Sequence, residues 1–321
     1  MKPGLLAAAL CLAAAPALPA VDPALLNLAM PNPQALTGVL VGQVQSSAFG
    51  QYVLSKIQVD SNLARIMAAT GFDPRKDLHE LVAAAASKNT GLVIGRGVFQ
   101  PSRIAAAAVM AGAVSSTYRG LEVLTASAQH PLPNGTLAQN SSFAFLDSTL
   151  VVLGDTMSVE AAIDRYIAGA KLSGPLAQQA MQVSAGNDIW FVASQLPAAF
   201  FPGKAPNQGF GNLANAFQSI QQTSGGVKFS SNGAVVSLAL VADSPQNAQS
   251  LVDIGKFLVS LVDSNRGQNP GAAKAASIAD TAVFSASGSV ATVNLTLSEQ
   301  QLEQLLMPAG GAQPSRRAAA R

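Results

Sequence analysis

The residues that could do chemistry are few. Among 321 residues there is one cysteine, Cys11, and there are two histidines, His79 and His130. A Ser-His-Asp triad would have to recruit His79, which stands beside Glu80, or His130, which precedes Pro131 in the turn-rich run QHPLPNGT. Neither context fixes an imidazole. The nucleophile elbow G-x-S-x-G does not occur, and His79-Glu80 is followed by Leu81, Val82 and Ala83, so H-E-x-x-H does not either. Two histidines so far apart do not make a transition-metal centre. Phosphate loops fare no better. Gly203-Lys204 lacks the Walker spacing, and Gly95-Arg96-Gly97 has no third glycine and runs on as a strand. Arg165, in the helical triplet Asp164-Arg165-Tyr166, reads as a surface or pairing residue. The 17 acids could supply a carboxylate pair for glycoside hydrolysis, but no spacing singles out two of them. The sequence therefore assigns no catalytic residue, no metal ligand and no cofactor.

One stretch stands apart. Residues 197–217 read PAAFFPGKAPNQGFGNLANAF, a Gly/Pro-rich segment carrying Phe200, Phe201, Phe210 and Phe217, and it follows Trp190-Phe191. Only 5% of the chain is aromatic, so several rings on one loop are notable. Trp190, Phe200, Phe201, Phe210 and Phe217 are the residues expected to cover an apolar ligand or dock a partner. The alternative is that they fold inward and plug one edge of a core.

The elements that must position these residues begin with a leader. Lys2 precedes an apolar run from Leu5 to Ala15, and Ala15-Pro16-Ala17 and Ala20 are small-residue cleavage points, so residues 1–20 read as a signal peptide. The run is too short to span a bilayer. Leu10 before Cys11 does not suit lipidation. Cleavage would leave a thiol-free chain, which suits an oxidising compartment. The expected location is secreted or periplasmic. The net charge of +2 gives no pull toward nucleic acid, and no transmembrane span is expected.

Beyond the leader, one pattern occurs twice. PALLNLAM from Pro23 and PLAQQAM from Pro175 each precede an extended run, LTGVLVGQ and IWFVASQ. The strands GLVIGRGVF from Gly91 and GAVVSLALV from Gly233 each lead to a proline, Pro101 or Pro245, placed to open a helix. Each half closes on strand, turn, strand, helix: SFAFLDSTLVVLGDTMSVEAAIDRYIAG and TAVFSASGSVATVNLTLSEQQLEQLL. Turns near Asp147-Ser148 and Ser287-Gly288-Ser289 signal hairpins, and Ser298 with Gln301 makes a capping box. The expected fold class is α+β, with two similar halves, each a mostly antiparallel sheet packed with helices on one face. The expected divisions are signal 1–20, first repeat 21–172, second repeat 173–308 and a disordered tail 309–321. The chain holds 59 alanines. The runs Ala83–Ala86 and Ala105–Ala108 read as helix formers that approach a sheet closely. Asp73-Pro74 reads as the start of another helix after a glycine stop at Gly71.

The run SNLARIMAATGFDPRKDLHELVAAAASKNTGLVIGRGVF at 61–99 resembles a group of uncharacterised secreted bacterial proteins. They carry a helix, then T-G-[FL]-D-P-x-x-D-[LV], then a strand, matched here by Thr70-Gly71-Phe72-Asp73-Pro74 and Asp77-Leu78. The likeness covers about half of the chain and implies a secreted or periplasmic place and a duplicated α/β domain. It implies no activity, so no catalytic residue is carried over. The functional expectation is a non-enzymatic protein that binds an unknown protein or apolar ligand in the cell envelope. A carrier of an apolar small molecule or lipid, held between sheet and helices, is the first alternative, and it requires an apolar cavity. A hydrolase with an unrecognised site is the second, and it requires acids, serine and a histidine to converge.

Overall fold

The computed structural model describes residues 20–56, 61–87, 90–126, 141–194, 216–268 and 270–306. Among these residues, twelve strands form one antiparallel sheet. In the first half they are β1 (Ala35–Val39), β2 (Leu78–Ala85), β3 (Gly91–Gly97), β4 (Val114–Tyr118), β5 (Leu121–Thr125), β6 (Ser141–Phe145) and β7 (Leu150–Asp155). The second half supplies β8 (Ile189–Ala193), β9 (Ile220–Ser230), β10 (Gly233–Ala242), β11 (Val283–Ser287) and β12 (Val290–Ser298). The order across the sheet is β11-β12-β10-β9-β8-β1-β2-β3-β7-β6-β5-β4. From the central β1/β8 pair, both halves run outward in the same order: first, second, third, last and next-to-last strand. The hairpin β4–β5 is an addition at one edge. The fold is thus α+β with two similar halves, and both lie in a single sheet.

Local chemistry places the helices. Asp22 caps α1 (Pro23–Leu26), Asp155 caps α7 (Thr156–Ala168) and Ser244 caps α9 (Pro245–Ser264), each side chain accepting from a first-turn N–H. Proline opens α1, α6 (Pro101–Met110), α8 (Pro175–Gly186) and α9, where its missing N–H has no partner to lose. The capping box at α11 (Glu299–Leu306) forms as read: Ser298 N–H donates to Gln301 Oε1 at 3.0 Å and Gln301 N–H donates to Ser298 Oγ at 3.3 Å.

Helices cover both faces of the sheet rather than one. Leu36, Val82, Ala84, Leu92, Ile94, Val152 and Trp190 point to one face, where Leu25 and Leu26 of α1, Val159 and Ile163 of α7 and Ala180 of α8 complete the main core. Neighbouring residues on the strands point the other way. There Phe143 and Leu153 meet α4 (Ser61–Thr70) and α6, while Val39, Ile189 and Phe229 meet α2 (Val41–Ser46) and α3 (Ala48–Lys56). Ala242 and Leu240 meet α9 on that same face. A sheet whose strands are apolar at both parities must be covered twice, which the one-face expectation had not allowed for.

Three local expectations are corrected. Ala83 to Ala85 lie in strand β2, not in a helix: β1 and β3 pair with them on both sides, and that pairing outweighs the helix preference of alanine. The helix opened by Asp73-Pro74 is therefore a single turn, α5 (Pro74–Asp77), and His79-Glu80 lies in a strand. The run from Leu36 turns into α2 at Val41 before reaching Gln43. Strand β9, with the run TSGGVKFS, was not anticipated at all.

Candidate ligand cavity

An apolar opening lies in the first half, between α4, α6 and strands β5–β7, with a volume of about 320 Å³. Its geometry follows from two helix ends. Helix α4 stops where Thr70 Oγ1 donates to the Ile66 carbonyl at 2.6 Å and Gly71 takes a φ of +72°, a conformation that favours glycine. Arg103, in the first turn of α6, donates from Nε to the Ala69 carbonyl at 3.1 Å and so ties α6 to this terminus. At its other end α6 closes with Ala113 N–H donating to the Ala108 carbonyl at 2.9 Å and Gly112 at φ +98°, a Schellman-type stop. The two helices are thereby held apart as a pair over the sheet.

Ile66 and Ala69 of α4 face Ala107, Ala108 and Ala111 of α6 across the opening, and Phe143 and Leu153 rise from the sheet beneath. Alanines cannot reach across the gap that two tethered helices leave, and the gap is the cavity. A row of rings, Phe72, Phe99, Phe145 and Phe143, with centroids 5.3–5.9 Å apart, runs from the α4–α5 joint to the cavity floor. Three side chains bring polar atoms to the lining: Arg65, Thr70 and Ser141. The Thr70 hydroxyl is committed to Ile66, and Arg65 is the one charged group there among the described residues.

The sequence-predicted residues are not assembled here. Trp190 lies in β8, in the extended run, and is fully buried in the main core, away from the cavity. Phe217 is half-buried on the opposite face, packed on the α9 core and lining a smaller cavity of about 150 Å³ with Leu251 and Phe284. Phe200, Phe201 and Phe210 lie outside the described residues, as do the leader, His130 and the tail. The two described rings therefore belong to different cores. His79 is exposed on β2. Among the described residues, no group of three or more His, Cys, Asp or Glu could hold a metal ion. Among these residues, too, no helix is long and apolar enough to cross a membrane.

A second polar cluster lies at the start of α1. Asp22 N–H donates to Glu80 Oε1 at 2.9 Å, and Arg96 Nη2 pairs with Asp22 Oδ2 at 2.7 Å. Burial pushes the Glu80 carboxyl above the usual carboxylate range, and the nearby Asp22 charge adds to that, against Arg96. The cluster ties the chain before α1 to β2 and β3. Val21 N–H, buried, donates to Ser184 Oγ at 3.0 Å and extends the tie to α8.

No protein-family model and no curated protein matches the chain. Its fold resembles that of TP0453. Crystal forms III and IV of that protein both superpose with a TM-score of 0.52 at 10% identity, over 89% of this chain and 98% and 97% of theirs. At that identity the likeness concerns the fold alone.

Sequence reasoning missed the cavity residues. Their one signal is the small-residue run Ala105–Ala108 of α6, which by itself reads as close packing on a sheet. What decides between contact and gap is the second helix, α4, and its tether through Arg103.

Proposed function

We propose that this is a non-enzymatic, secreted or periplasmic protein that binds an apolar small molecule between α4, α6 and the sheet. The observation that carries the reading is the cavity's size and lining. Its volume lies at the lower end of the range for small-molecule sites, and apolar side chains line it almost throughout. A catalytic role finds less support, since His79 is exposed and no acid among the described residues lines the cavity. An interaction role through residues 197–217 rests on side chains outside those described, apart from Phe217. The leader and the thiol-free remainder of the chain support the proposed location.

Native mass spectrometry of protein purified from its own host tests the reading, together with titration by the neutral apolar dye Nile red. The expected result is a mass increment lost on organic extraction, and dye binding by the extracted protein. Extracted protein that binds no dye would overturn the reading.

A further inference from the structure

Among the described residues, the one charged side chain that lines the cavity, Arg65, has no ion-pair partner. Seven arginines lie among the described residues. Arg75 pairs with Asp73, Arg96 with Asp22, Arg119 with Asp164 and Arg266 with Asp263 and Asp280. Arg103 and Arg165 donate to the carbonyls of Ala69 and Leu28. Arg65 alone makes no hydrogen bond or ion pair, and it alone lines the apolar cavity. Its helix neighbours Ile66, Ala69 and Thr70 line the same cavity, so the guanidinium stands on the helix face that borders it. Arg65 is exposed, which puts the charge at the solvent side of an apolar space.

From this arrangement we infer that the ligand is an anionic amphiphile: an acyl or alkyl chain in the cavity and a carboxylate or phosphate head on Arg65. The inference rests on the proposed function and adds the head group to it. An apolar chain without a head would leave the guanidinium solvated and gain nothing from it. A cationic or zwitterionic head would meet repulsion, or at best no net attraction. A guanidinium presents a planar fork that suits either anionic head. Because Arg65 is exposed, its contribution is modest: charge pairing in water-accessible geometry corresponds to a preference of about 1.4- to 5-fold.

The test compares dodecanol, dodecanoate and dodecyl phosphate, which share one chain, by competition with Nile red and by calorimetry. The proteins are wild type, Arg65→Gln and Arg65→Lys, with thermal midpoints confirming that the variants fold. On wild type, dodecanoate or dodecyl phosphate is expected to bind tighter than dodecanol by up to about fivefold, and the stronger of the two anions identifies the head. Arg65→Gln is expected to abolish that preference while leaving dodecanol affinity unchanged, and Arg65→Lys to keep most of it. Equal binding of all three ligands to wild type, or a preference that survives Arg65→Gln, overturns the head-group assignment and leaves the apolar-cavity reading standing. Failure of all three ligands and of Nile red to bind overturns both.

Discussion

The junction of the two halves gives the sharpest mechanical prediction. β1 and β8 pair at the centre of the sheet, with Gly38 opposite Trp190. A methyl group on Gly38 would stand 2.5 Å from Cε2 and Cζ2 of the indole and 2.6 Å from Nε1. Carbon atoms in contact sit about 3.5–4.0 Å apart, so the ring would have to move by about 1 Å. It has nowhere to go: Trp190 is fully buried, and β1 is held between β2 and β8. Overpacking of this kind costs about 1–3 kcal/mol. Gly42 supplies the matched control. It is exposed in α2, and nothing lies within 4 Å of where its methyl would stand. There Gly→Ala stabilises by about 0.5–1 kcal/mol. The two substitutions should therefore differ by about 1.5–4 kcal/mol. At about 2 °C per kcal/mol for a chain of this size, that is a separation of roughly 3–8 °C in thermal midpoint. Trp190 is the only tryptophan, so its emission reports the junction directly. Gly38→Ala should lower the midpoint and shift the native emission, and Gly42→Ala should do neither. Equal midpoints for the two variants, with unchanged Trp190 emission in both, would refute the packing described for the junction.

Three further predictions follow from other parts of the molecule. Ala108→Leu adds three carbons to the cavity wall; at about 0.8 kcal/mol per buried methylene it should stabilise the ligand-free protein by up to about 2 kcal/mol, while Nile red binding falls in the same titration. Glu80 carries the pH dependence. Burial raises its carboxyl in the fold, so the folded chain holds a proton that the unfolded chain releases. The resulting stability is present below the ordinary carboxylate range and is lost as pH rises through the raised value. Glu80→Gln, which can keep the bond from Asp22 N–H, should flatten that acid-side slope in midpoint against pH. Lastly, N-terminal sequencing of the exported protein should begin at Leu18 or Val21. A start beyond Asp22 would remove both the Val21–Ser184 bond and the cap of α1, and would contradict the proposed processing.

Much of the architecture could be read from the sequence because local signals and tertiary pairing agreed there. Pro101 and Pro245 open helices, Gly169 takes the left-handed stop of α7 at φ +59°, and Asp147 and Gly288 stand at the hairpin turns. Where the two levels disagreed, the sequence misled. Ala83–Ala85 are helix formers by preference and strand residues by partnership. The burial alternation along β2, with Glu80, Val82 and Ala84 buried, is the period-2 signal that alanine's small size obscured. β9 was hidden by Gly225 and Gly226, residues poor in strand preference. A methyl at Gly225 would stand 2.3 Å from the Ser237 carbonyl oxygen, and one at Gly226 would stand 2.5 Å from that of Ile189, so neighbouring strands approach too closely there for a side chain. The candidate site was less legible still. Large rings draw attention to Trp190, which is buried in the main core, and to Phe217, which packs half-buried on another. The cavity is made by residues too small to fill a space, and smallness carries no signal until the facing helix is placed.

The comparison of halves shows why the cavity lies where it does. α6 and α9 occupy corresponding places, each following the third strand of its half and each covering the same side of the sheet. In the second half, Leu251, Ile254 and Leu258 line the space beneath α9, and the Phe284 ring seats against Gly255, where a methyl would stand 2.3 Å from the ring. About 150 Å³ remains. In the first half the corresponding helix presents Ala107, Ala108 and Ala111, a second helix is tethered across from it, and about 320 Å³ remains. Element order is shared and cavity volume is not, so the space is set by the small side chains of α6 together with the placement of α4. The position of the unpaired charge agrees. Arg65 sits on α4, beside the larger space, while no lysine, arginine, aspartate or glutamate lines the smaller one. One half thus combines an open apolar volume with an uncommitted cation, and the other fills the equivalent volume with its own side chains. A ligand that needs both features has one place to bind in the described structure.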